Sequence, residues 1–341
     1  MRNFWTWFAR VLLIVGLSLP AFAAARAEEP KTLNIAAVLP SGVENAWTRA
    51  WLDSFEKIQK AAPDGLKITL KYTENVYADT AASVIRGYAE TGKYDVIWAH
   101  SSYSDEVEAL KDEFPNILFV TVGGGNRPLG GNSYLIYMHI HEPAYVAGVF
   151  AGLTSKSKVL GAVGLFPADD VNDVVNAFRA GARSVAPDSK VKVTFIESWY
   201  DPAKASEAAN AQISAGADII FQLGESFQVC QERKIMCIGQ YIDSAKIAPS
   251  AVPLSVLVNW EPQINYIIDQ WKKHKETGEP YNAPMEPVWF TMAQGGSGLS
   301  GYGEFADKIP DDVKQAVKKA QDDILSGATK VELKTDLPVS D

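Results

Sequence analysis

LNIAAVLPSGVENAWTRAW, residues 33–51, reads as a buried strand, a short Pro/Gly loop and the opening of a helix. LNIAAVL is an apolar run but for Asn34, the pattern of a strand covered on both faces of a parallel sheet. Pro40, Ser41 and Gly42 break it, and Asn45 is a good N-cap for the helix. Ligands of open α/β sheets bind outside the carboxyl ends of the strands, so this loop falls at the expected binding edge. Trp47, Trp51, Phe55 and Ile58 recur at helical spacing. That makes the last three a core stripe and leaves Trp47, in the first turn beside the loop, with two readings: ligand wall or core.

The alternation continues outward. KITLKY, DVIWAH, NILFVTV and SYLIYM are strand-like, with helical patterns at 77–91 and 104–113 between them, as in βαβ units of a parallel sheet. GGGNRPLGG, residues 123–131, reads as a surface loop at a strand end. It is no phosphate cradle, because no G-x-G-x-x-G opens a helix there and no GxxxxGK[ST] occurs in the chain. At MHIHEPAYVAG the pattern resets, and a second series begins: KVLGAVGLF, VKVTFIES, DIIFQLG and IMCIGQ, each with a helix behind it. DPAKASEAANAQISAG carries Asp201 as N-cap, Pro202 at the first helical position and Gly216 beyond the end. LSVLVNW, a helix over EPQINYIIDQWKKHK, PVWFTM, a Gly/Ser loop and a last helix at 310–326 complete the chain.

The predicted fold is α/β: two Rossmann-like lobes with parallel sheets, joined by a three-crossing hinge. The expected boundaries are 31–138 with 260–288 for lobe 1, and 142–256 with 292–335 for lobe 2. The crossings fall near 138–141, 256–259 and 288–292. Two lobes joined in this way trap a ligand by hinge closure.

The 341 residues suffice for two such domains of about 150 residues. Residues 1–27 stand apart. Arg2 and Arg10 precede the apolar VLLIVGLSL, and AFAAARA offers an A-x-A site for cleavage after Ala27, which together form a secretory signal. An uncleaved anchor is the alternative, since FWTWF lengthens the apolar region. Removal of this segment takes three Arg from the 32 basic residues and leaves 29 against 41 acids. That balance excludes a nucleic-acid partner, whose phosphates demand basic neutralisation. Cys230 and Cys237 are either bridged or two buried thiols. Export permits the bridge, and no His stands near them to complete a metal site.

Trp47, Tyr103, Trp199 and Trp260 fall at or near strand-end loops, where aromatic walls grip flat ligands. Asp105, Glu225 and Asp243 lie at the same edge, and carboxylates there accept hydrogen bonds from ring N–H, amino or hydroxyl groups. Each has a plainer reading: Asp105 as a helix cap, Glu225 as a helix-dipole partner, Trp199 as packing. His100, His139 and His141 read as core or loop histidines, and His274 as a helix-end cation.

Several strings resemble the basic membrane protein family, the purine-nucleoside-receptor-like, type I periplasmic substrate-binding proteins of ABC importers. They are HEPAYVAGVFAGLTSKSKVLGAVG, NAFRAGA, ESWYDPAKASEAANAQISAGADIIFQLGES, and GQYIDS with SVLVNWEP after it, and they span most of residues 33–295. The resemblance implies a purine base or nucleoside bound between the lobes. It places Asn45 and Trp47 in the first-strand loop, Ser102, Tyr103 and Asp105 after DVIWA, Trp199 in WYDP, Glu225 after DIIFQLG, Asp243 after GQY and Trp260 at the second crossing. Many nucleoside-binding members carry an acidic, Ser-Phe-Asn-like loop where this chain has SGVENAW, and a Lys where it has VLVNWEP. In better-known members these groups help hold ribose, so the departures favour a free base or another flat heterocycle.

No G-x-S-x-G elbow, H-E-x-x-H helix or DxDxDG loop is present. The expectation is therefore a binding protein, not an enzyme, with no cofactor and no metal. It would be a periplasmic monomer partnered by a small-molecule ligand and an inner-membrane ABC permease. The alternatives are a ligand-sensing receptor protein on the same fold and a nucleoside-processing enzyme.

Overall fold

The computed structural model describes residues 31–341; the signal-peptide and cleavage expectations lie outside the described residues. β1 (Thr32–Val38) is buried along nearly its whole length and pairs in parallel with a strand on each side, as a run apolar but for Asn34 requires. α1 (Ala46–Ala61) starts at Asn45, whose Oδ1 accepts the N–H groups of Trp47 and Thr48 at 3.0 and 3.4 Å. Trp51, Phe55 and Ile58 form its buried stripe.

The first unit continues through β2 (Lys67–Thr73), α2 (Ala78–Glu90), β3 (Val96–Ala99), α3 (Ser104–Lys111), β4 (Leu118–Val122) and β5 (Ser133–Met138). After α4 (His141–Thr154) the second unit runs through β6 (Val159–Gly164), α5 (Asp169–Val185), β7 (Lys190–Phe195), α6 (Pro202–Ser214), β8 (Ile219–Gln222), α7 (Phe227–Arg233), β9 (Met236–Tyr241) and β10 (Leu254–Val258). α8 (Glu261–Thr277), β11 (Val288–Phe290), β12 (Ser297–Leu299) and α9 (Asp311–Leu325) come last. Among the described residues there are two six-stranded sheets, ordered β11-β5-β4-β3-β1-β2 and β12-β10-β9-β8-β6-β7. All pairs are parallel except β10 with β12.

In each sheet the order reverses beside its opening strand, β1 in one and β6 in the other. That reversal is the switch point where ligands of open α/β sheets bind. The chain passes between the sheets through residues 139–158, 259–287 and 291–296. α8 packs on α1, while α4 packs on α5 and α9. The α4–α5 contact is backbone on backbone. A Cβ at Gly148 would stand 2.0 Å from the Phe178 carbonyl oxygen, and one at Gly181 1.9 Å from that of Tyr145, so no larger residue fits at either position. Cys230 in α7 and Cys237 in β9 are joined as a disulfide, which decides between the two readings the sequence left open.

Candidate ligand-binding site

The two switch points meet across a cleft. From the first unit come Ser41, Asn45 and Trp47 behind β1, Ser101 and Ser102 behind β3, and Tyr137 near the end of β5. Leu165 behind β6, Asp170 in the first turn of α5, Trp199 behind β7 and Tyr241 at the end of β9 face them from the second. The cavity they enclose has a volume of about 50 Å³. It adjoins another of about 180 Å³ that shares Gly123, Tyr137 and Asp170 with it.

Aromatic rings dominate the wall. The half-buried Trp47 ring lies on His100, with centroids 5.2 Å apart and planes 24° from parallel. It meets Tyr241 edge-on at 5.2 Å and Tyr137 at 6.0 Å. The Trp47 ring thus rests on the buried His100 and also lines the cavity. His100 is fully buried, and its Nδ1 accepts a hydrogen bond from Trp98 Nε1 at 3.1 Å. Burial pushes its pKa down to about 3, so the ring beneath Trp47 is neutral. Trp199 is the opposite case, 38% exposed and resting edge-on against Phe166.

The polar complement centres on Asp170. Its Oδ2 accepts the Gly124 N–H at 2.8 Å and the Tyr137 hydroxyl at 3.2 Å, both from the other unit. Oδ1 is buried and has no hydrogen-bond partner among the described residues. Burial raises the pKa of the carboxyl against those two donors, and burial beside Asp170 raises the Tyr137 hydroxyl well above its ordinary value. Glu225 makes a second contact across the cleft, accepting the Ala46 N–H at the start of α1 at 3.0 Å. Burial raises its carboxyl to about 7, against the pull of that N–H. Glu225 and Tyr241 both hold left-handed backbone, φ 61° and 70°. Such strain in non-glycine residues costs on the order of 1–3 kcal/mol and gathers at ligand clamps.

The Bmp family model, described as ABC transporter substrate-binding protein PnrA-like, matches residues 33–286. The chain belongs to that family. A purine-binding protein of Brucella abortus (strain 2308) is 32% identical over 310 residues, covering 89% of this chain and 83% of the relative. A putative ABC transporter glucose-binding protein of Haloferax volcanii is 32% identical over 200 residues, 58% of this chain and 50% of the relative. Among solved structures, an ABC transporter solute-binding protein of Conexibacter woesei shares the fold. Its TM-score is 0.69 at 18% identity, over 88% of this chain and 98% of that one. PnrA-like proteins are transporter solute-binding proteins, extracellular or periplasmic, that take small molecules and work with ABC permeases.

Within this PnrA-like fold, Asn45, Trp47, Ser102 and Trp199 of the expected contacts line the cavity, and Glu225 stands at the cleft in contact with the opposite unit. The other expected contacts are placed elsewhere. Tyr103 is buried between α2 and α3, and its hydroxyl donates to the Val76 carbonyl at 2.6 Å. Asp105 points outward from α3, whose inner face is Ser104, Val107 and Leu110, and pairs with Arg127 on the surface. Asp243 caps a short 3-10 turn by accepting the Ala245 N–H at 3.3 Å. Trp260 is fully buried behind Trp47, centroids 4.9 Å apart.

Tyr137, Asp170 and Tyr241 do not emerge from the sequence. Tyr137 and Tyr241 lie inside apolar strands, where nothing separates a wall residue from a core one. Asp170 does carry a signal. It sits with Asp173 and Ala177 at helical spacing on the side of α5 that holds Val174, and acids on an apolar stripe need a reason.

Proposed function

We propose that this chain is a periplasmic solute-binding protein of an ABC importer, taking a purine base or nucleoside-like heterocycle into the cleft. The observation that carries the reading is the free Asp170 Oδ1 in a wall of aromatic rings. Flat rings suit stacking beside Trp47 and under Trp199, at about 1–3 kcal/mol per stacked base. A buried acceptor suits a ring N–H or exocyclic amino donor. The name of the Brucella relative supports the same class. Asn45 and Ser102 complete the contact set from the first unit, Tyr137 and Tyr241 enclose it, and Glu225 holds the cleft shut.

Ligand seated against the first unit gains contacts to the second, which shifts the open–closed population toward closure. The permease then reads the closed form. Small-angle scattering checks this step: the radius of gyration falls on saturation with a tight ligand, and an unchanged radius removes hinge closure from the account.

The name of the Haloferax relative favours a second reading, a sugar, since aromatic walls also pack on pyranose faces. A thermal-shift screen of the purified protein separates the two, because a ligand of the folded state raises the midpoint by mass action. Shifts with adenine, guanine, hypoxanthine or their nucleosides support the purine reading. Shifts with sugars or amino acids alone overturn it.

A further inference from the structure

We propose that His139, His141 and Glu142 form a site for a zinc-class divalent cation where the chain first and last crosses between the sheets. One ligand atom from each lies within 4.8 Å of the other two. The ligand atoms of a tetrahedral zinc site stand about 3.3 Å apart, given bonds of about 2.0 Å. His139 Nδ1 and Glu142 Oε1 are 2.9 Å apart, close to that spacing, and Asp173 Oδ2 stands 3.7 Å from His141 Nδ1, outside the three-residue cluster.

His141 makes the case independent of proximity. It is 2% exposed, and its Nδ1 has no hydrogen bond among the described residues. A buried imidazole with an unpartnered ring nitrogen is the form in which histidine ligates a metal. A buried ring nitrogen with no partner is otherwise costly. Glu142 is oriented by the backbone: its Oε2 accepts the Met292 N–H at 2.6 Å, leaving Oε1 toward His139. Two imidazoles with a carboxylate select zinc, cobalt, nickel or copper over magnesium and calcium. The positive N-terminus of α4 favours the negative charge of Glu142, which the cation in turn neutralises. The His139 side chain is a quarter exposed, which gives the ion a way in.

The position gives the ion a consequence. The His139 N–H donates to the Phe290 carbonyl, the His139 carbonyl accepts Ser297 Oγ, and Glu142 holds Met292. A cation on these residues pins the first crossing to the third, whatever solute occupies the cleft.

The test is titration of the chelator-stripped full chain with ZnCl2 by calorimetry and with CoCl2 by visible absorption. The expected result is one zinc per chain, with a cobalt spectrum of low-symmetry four- or five-coordinate type. His139→Ala, a change at a partly exposed residue, lowers zinc affinity at least about tenfold, and Glu142→Gln does likewise. Circular dichroism establishes that each variant is folded. No stoichiometric zinc uptake by the folded wild-type chain overturns the proposal. So does equal uptake by wild type and folded His139→Ala, which assigns the ion to surface carboxylates. Should Glu142→Gln unfold through loss of its bond to Met292, wild type and His139→Ala still decide.

Discussion

Glu225→Gln should stabilise the protein, and by an amount that depends on pH. The Glu225 carboxyl titrates near pH 7 in the folded chain against an ordinary value of 4.5, chiefly because it is buried. A raised acid pKa means that the folded state disfavours the ionised form. The penalty is absent below pH 4.5, grows between pH 4.5 and 7, and is complete above pH 7. At roughly 1.4 kcal/mol for each tenfold change in proton affinity, the full penalty is about 3 kcal/mol. Glutamine is never charged, and its carbonyl oxygen can still accept the Ala46 N–H that Glu225 accepts now. Urea unfolding of both proteins at pH 4.5 and pH 8 measures the difference. The variant should be close to wild type at pH 4.5 and more stable by about 3 kcal/mol at pH 8. A stability difference that is the same at both pH values would refute the reasoning, since it would place the Glu225 carboxylate in water.

Trp47→Ala should weaken ligand binding by about 1–3 kcal/mol, the worth of a stacked ring; calorimetry with the tightest ligand from the screen measures it, and unchanged affinity with a lowered melting point returns Trp47 to the core alone. Asp170→Asn replaces the free Oδ1 or the bonded Oδ2 by an amide donor. Affinity for a ligand that donates to this position should fall at least about tenfold, as a charge-assisted hydrogen bond is lost. Gly148→Ala drives a methyl into the Phe178 carbonyl and should cost about 1–3 kcal/mol or more in urea unfolding, the usual penalty for overpacking. Asp105→Ala should leave ligand affinity unchanged and shift stability by less than about 1 kcal/mol, because its partner Arg127 is also on the surface.

The fold is legible because buried parallel strands leave dominantly apolar runs, and LNIAAVL, DVIWAH and DIIFQLG read that way despite Asn34, His100 and Gln222. Caps at Asn45 and Asp201 then place two helix starts, and both side chains accept backbone N–H groups of the first turn. The site is legible where it lies in strand-end loops, which is how Asn45, Trp47, Ser102 and Trp199 emerge. It is illegible where a side chain's direction decides the matter. Asp105 and Asp170 both stand in the first turn of a helix behind a strand, and only the rotation of each helix on its sheet turns one to solvent and the other to the cleft. Trp260 shows the converse: an aromatic at a crossing, placed behind the wall and supporting Trp47 from below. The H-x-H-E run gives no sequence signal because its members converge through the turn from β5 into α4, not through a spacing on one helix face.

The disulfide ties α7 to β9. Glu225 stands just before the first of these elements and Tyr241 ends the second, so the staple spans the base of two strained residues that face the cleft. A bond favoured by an oxidising compartment therefore ties maturation of the binding wall to the redox state around the chain. Chain produced in a reducing cytoplasm would share the architecture and lack that brace, so batches of different oxidation state should be kept apart before their affinities are compared.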